Sequence, residues 1–78
     1  MVDSSAGPSR QQMVDVWSEV LGAAGPSDVD EFFTSGGNSL KAMRVCARLS
    51  SISGRKIPVR TLLEHSKFGE FVEAVRSM

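Results

Sequence analysis

A chain of 78 residues with 41% hydrophobic and 23% charged side chains has material for one small core and none for a second domain, because surface outgrows volume as chains shorten. Its nine basic residues balance nine acidic ones, which argues against a general nucleic-acid binder, since affinity for a phosphate backbone rests on surplus cations. One cysteine, Cys46, and one histidine, His65, exclude an internal disulfide and a closed Cys/His zinc site, and they fit a reducing cytoplasm.

Met1 to Pro8 is rich in Ser, Gly and Pro without apolar periodicity and reads as a flexible lead-in to a domain over residues 9–78. It has neither the basic nor the apolar region of an export signal, and no later stretch approaches the ~18 consecutive apolar residues of a membrane span. The expected setting is cytoplasmic and the expected state a monomer.

From Ser9, a candidate N-cap, the residues Met13, Val16, Trp17, Val20 and Leu21 recur at helical spacing until Gly22 supplies a stop, which predicts a first helix. Residues 22–38 follow no sustained period. They carry Gly25-Pro26, the acids Asp28, Asp30 and Glu31, and then Phe32-Phe33. At least one of these rings is expected in the core, since burying a large side chain is worth about 1.5–3 kcal/mol. The long loop is thereby pinned.

A second helix is predicted from Ser39 to about Ser51, ended by Ser53-Gly54. At about 100° per residue its apolar side chains span about 220°, roughly twice what one core-facing stripe requires. Ala42, Val45, Cys46 and Leu49 are expected to face inward. Leu40, Met43 and Ala47 then lie outside, beside Ser39, as a landing surface for exchangeable partners, edged by Lys41, Arg44 and Arg48. The charge is polarised along the chain. Residues 1–38 hold six acids and one base, Arg10, whereas residues 41–60 hold six bases and no acid.

Ile57-Pro58-Val59 leads into a short third helix through Leu62-Leu63-Glu64. The fourth has Phe68, Phe71, Val72 and Val75 on one side, with Ser66 as its candidate cap. The predicted fold is all-α, a small four-helix bundle with three main helices, a short third helix and a long first loop. Cys46 is expected to be buried with a raised pKa, and His65 to meet carbonyls at the end of the third helix.

Ser39 has no activating partner in view. Gly37-Asn38-Ser39-Leu40-Lys41 lacks the second glycine of the Gly-x-Ser-x-Gly elbow, and P-loop spacing is absent. The serine reads as a place of attachment. A phosphodiester on it would lie at a helix N-terminus, where open N–H groups and the helix dipole favour an anion.

Asp30-Glu31-Phe32-Phe33, then Gly36-Gly37-Asn38-Ser39-Leu40 and Lys41-Ala42-Met43, together resemble the attachment motif of carrier-protein domains, above all the peptidyl carrier (thiolation) domains of nonribosomal peptide synthetases. Leu63-Glu64-His65 resembles a later signature of that family. The resemblance implies that Ser39 is esterified by a phosphopantetheinyl transferase, which moves 4'-phosphopantetheine from coenzyme A, and that the domain is a noncatalytic carrier. It further implies loading by an adenylation enzyme and delivery to condensation, tailoring or thioesterase partners, with Leu40, Met43, Arg44, Ala47 and Arg48 as the contact surface. Such carriers often have His or Asp at the position of Asn38, and Pro-Thr at that of Ser66-Lys67. The second departure is expected to weaken slightly the corner between the third and fourth helices. Two other readings stay open at this level: an acyl carrier of polyketide or fatty-acid type, and a helical protein- or DNA-binding module with no covalent cofactor.

Overall fold

In the computed structural model, which describes residues 8–78, the first helix begins where its capping chemistry dictates. The Ser9 hydroxyl accepts the Gln12 amide at 3.1 Å, and the Gln12 side chain accepts the Ser9 amide at 2.9 Å, so two otherwise unpaired donors satisfy each other's residue. Helix α1 runs Arg10–Leu21 and closes on Gly22 at φ 68°, whose N–H reaches the Ser18 carbonyl. Helix α2 spans Ser39–Ser53, α3 Val59–Glu64 and α4 Phe68–Arg76. Among the described residues there is no strand beyond one isolated antiparallel bridge, Glu31 with Lys67.

Trp17 organises the interior. Phe32 and Phe68 each stand edge-on to it with ring centroids 5.0 Å away, and Phe71 lies at 5.9 Å. Around this aromatic set α1 contributes Met13 and Val16, α2 contributes Ala42, Val45, Cys46 and Leu49, and Ile57, Leu62, Val72 and Val75 complete the core. The inward face expected for α2 is therefore the buried one. Burial pushes the Cys46 thiol up to about 11.

Four details differ from the sequence reading. Helix α2 extends to Ser53, because the chain leaves the right-handed region only at Gly54, at φ 71°. Ser66 does not cap α4: Lys67 occupies that position and makes no side-chain capping bond. The α4 amides of Phe68 and Gly69 are taken instead by the carbonyls of Asp30 (2.9 Å) and Asp28 (3.0 Å) from the first loop. At the end of α3 it is the His65 main-chain N–H that meets the Thr61 carbonyl, at 3.1 Å. Of the lead-in expected over residues 1–8, residues 1–7 lie outside the described residues. Pro8 is buried.

Candidate functional site

The first loop is built to deliver a helix start. Asp30 receives the Ser27 amide at 3.0 Å and its hydroxyl at 3.2 Å, which turns the chain toward α4. The Phe32 amide then donates to the Ser66 carbonyl at 2.8 Å while Phe68 donates back to Asp30, so the loop is stitched to the corner between α3 and α4. Phe32 is fully buried and Phe33, standing edge-on to it at 5.3 Å, stays at the surface. One ring of the pair therefore enters the core, as the sequence requires.

Both glycines before the site have structural reasons that sequence reasoning did not identify. Gly36 sits at φ 103°, a region that side chains oppose. A Cβ on Gly37 would lie 2.4 Å from the Phe32 ring. Its amide donates to the Phe32 carbonyl at 2.9 Å. The backbone thus lies close against the buried ring and steps directly to Asn38.

Asn38 caps α2, its side-chain oxygen accepting the Lys41 amide at 2.9 Å. Ser39 is the first helical residue and is exposed. Its hydroxyl has no hydrogen bond among the described residues. The amides of Ser39 and Leu40 likewise point out of the helix start without an acceptor. The first turn of α2 holds no acid, and the Lys41 ammonium donates to the Gly36 carbonyl at 3.2 Å. An exposed hydroxyl, two open N–H donors and a nearby cation fit an anionic phosphodiester. Nothing in this arrangement activates Ser39 as a nucleophile from within the chain.

Outside the core-facing stripe, Leu40 is 63% exposed, Met43 54%, and Ala47 is exposed too. Arg44 is exposed and has no ion-pair or hydrogen-bond partner among the described residues. Arg48 differs, pairing with Glu19 of α1 at 2.7 Å. Two of the basic edge residues are therefore occupied within the fold, Lys41 by a loop carbonyl and Arg48 by α1.

The corner beneath the loop carries a contact that periodicity could not reveal. The Ser66 hydroxyl donates to one Glu31 carboxylate oxygen, while the other oxygen accepts the amides of Phe33 and Thr34, each at 3.2 Å. The Ser66 bond, these two amides and the charge of Lys67 together hold the Glu31 carboxyl below its ordinary value, outweighing its partial desolvation.

This helix start, serine and glycine-rich approach lie inside a stretch that matches a known family. The model described as phosphopantetheine attachment site matches residues 11–75, and the chain belongs to that family. It is 46% identical over 55 residues, 70% of its length, to phosphinothricin tripeptide synthetase PhsC of Streptomyces viridochromogenes, and 37% identical over 68 residues, 87% of its length, to phosphinothricin tripeptide synthetase PhsB of the same organism. The chain spans only 5% and 6% of those synthetases. Among solved structures it is similar to that of the phosphopantetheine transferase Sfp in complex with coenzyme A and a peptidyl carrier protein, with TM-score 0.79 and 26% identity over 94% of this chain and 99% of the matched one. It is similar as well to PCP, a prototype for the peptidyl carrier domains of modular peptide synthetases, with TM-score 0.72 and 30% identity over 85% of this chain and 87% of that one. The domain is a carrier of the peptidyl, or thiolation, type, and its cofactor is 4'-phosphopantetheine.

Proposed function

We propose that Ser39 is the residue that receives the cofactor and that the domain, itself noncatalytic, carries aminoacyl, aryl or peptidyl groups between the enzymes of a peptide synthetase. The observation that carries this reading is the exposed Ser39 hydroxyl beside two open amides at the start of α2. When attached, the cofactor supplies a flexible arm whose terminal thiol holds the cargo as a thioester.

The chain's part is presentation. In the modifying reaction the Ser39 oxygen forms a bond to the pantetheine-bearing phosphorus of coenzyme A. The pyrophosphate P–O bond breaks, adenosine 3',5'-bisphosphate leaves, and the serine proton passes to a base of the transferase. The free amides of Ser39 and Leu40 favour the phosphodiester left on the chain. The Asn38 cap and the Gly37 backbone resting on Phe32 hold the serine at a fixed place on the surface.

A phosphopantetheinyl transferase is the first partner; an adenylation enzyme then loads the arm, and condensation, tailoring or thioesterase enzymes receive from it. Leu40, Met43 and Ala47 supply contact beside the arm. Arg44 is available to an acidic group on a partner, and Arg48 becomes so once released from Glu19. A patch this small suits encounters that must be brief.

The test is intact mass after incubation with coenzyme A and a promiscuous transferase. A gain of one phosphopantetheine, absent in Ser39→Ala, is expected. A folded wild-type chain that stays unmodified would return the protein to the class of helical binding modules.

A further inference from the structure

The contact between Ser66 and Glu31 joins two segments 35 residues apart and, on its Glu31 side, lies within the loop that delivers Ser39. We propose that Ser66 is a positioning residue for the modification of Ser39: its hydroxyl holds the Glu31 carboxylate, and through that carboxylate it holds the loop in the form a transferase meets. This inference rests on Ser39 being the attachment residue.

The connection is continuous. One Glu31 oxygen takes the Ser66 hydroxyl, and the other gathers the amides of Phe33 and Thr34 into a turn. The Thr34 hydroxyl donates back to the Glu31 carbonyl at 3.2 Å, and the Ser35 amide to the same carbonyl at 3.0 Å. That turn brackets Phe32, whose ring supports Gly37 and whose carbonyl accepts the Gly37 amide. Asn38 and Ser39 follow immediately. The main chain of Ser66 acts in the same direction, its carbonyl accepting the Phe32 amide.

The hydroxyl matters here because, among the described residues, no other side-chain hydrogen bond joins the first loop directly to the corner between α3 and α4. Lys67 makes no capping bond to α4, so Glu31 with Ser66 is the side-chain link that accompanies the backbone bridge. Removing the hydroxyl leaves the aromatic core in place and loosens the turn. A loosened loop populates the form competent for binding only part of the time, and the apparent affinity of any partner falls by that fraction. The signature is a raised KM for the carrier with little change in kcat.

The experiment is steady-state transfer of phosphopantetheine from coenzyme A by a promiscuous transferase to the intact chain, comparing wild type, Ser66→Ala, Ser66→Thr and Glu31→Ala, and the double variant Glu31→Ala with Ser66→Ala. Ser66→Ala is expected to raise KM on the order of three- to tenfold, the equivalent of one modest hydrogen bond, with kcat nearly unchanged. Ser66→Thr, which keeps a hydroxyl, restores the wild-type KM. In the Glu31→Ala background, Ser66→Ala has no further effect, because the carboxylate it acts through is already gone. A purely structural role predicts a lowered melting temperature with an unchanged KM and overturns the proposal. So does independent, additive behaviour of the two residues, or a threonine variant that behaves like alanine. A wild-type chain that gains no mass overturns the attachment reading and this role together. A modified wild type with a kinetically identical Ser66→Ala variant overturns this role alone.

Discussion

At the level of single residues, the approach to Ser39 is governed by what Gly37 lacks. Its backbone lies close against the Phe32 ring, and an added methyl would start 2.4 Å from two ring carbons and 2.7 Å from the Phe32 carbonyl. Neither the ring nor the carbonyl can retreat cheaply, since Phe32 is enclosed and packed on Trp17. Gly37→Ala is therefore expected to cost about 1–3 kcal/mol, the range for forcing volume into a packed site, read as a lowered urea midpoint at unchanged m-value. Gly36 has open space around it and is constrained by its backbone angle alone. The two neighbouring glycines are thus needed for unrelated reasons.

At the level of elements, α4 begins without a cap of its own because the first loop does that work. The carbonyls of Asp30 and Asp28 take the first two amides of the helix. This demands a near approach at Gly69, where a Cβ would meet the Asp28 Cβ at 2.9 Å and the Asp28 carbonyl at 3.2 Å. Glycine to alanine inside a helix ordinarily gains up to about 1 kcal/mol. Here Gly69→Ala is expected to destabilise by about 1 kcal/mol, because the loop must move off the helix and its carbonyls lose their donors. Chemical denaturation followed by the fluorescence of Trp17, which is 2% exposed in the folded state, measures it. A stabilised variant would mean that the loop yields without loss.

Over the whole molecule, one carboxylate takes part in joining two remote segments, and pH should reveal its share. Glu31 titrates below its ordinary value of 4.5 in the folded state. Its contribution to stability is then complete above that ordinary value and is lost as pH falls through the lower folded value. Melting temperatures recorded from neutral to strongly acidic pH should decline in wild type across that window. Glu31→Gln should show a shallower decline there, with the two curves closest at the acid end. Parallel curves would show that the carboxylate gains nothing from its place at the corner.

Helix positions, the four-helix class, the inward face of α2 and the attachment motif are all readable from the chain alone. They depend on local periodicity, on Ser9 and Gly22 as helix boundaries, and on chemistry concentrated between Asp30 and Met43. What the tertiary structure alone decides is pairing between distant residues. That Arg48 is drawn to Glu19, that loop carbonyls cap α4, that Gly37 lies on Phe32 and that Ser66 holds Glu31 are facts of packing. Periodicity reports which way a side chain faces along its own helix; it carries no information about which atom from another segment arrives there.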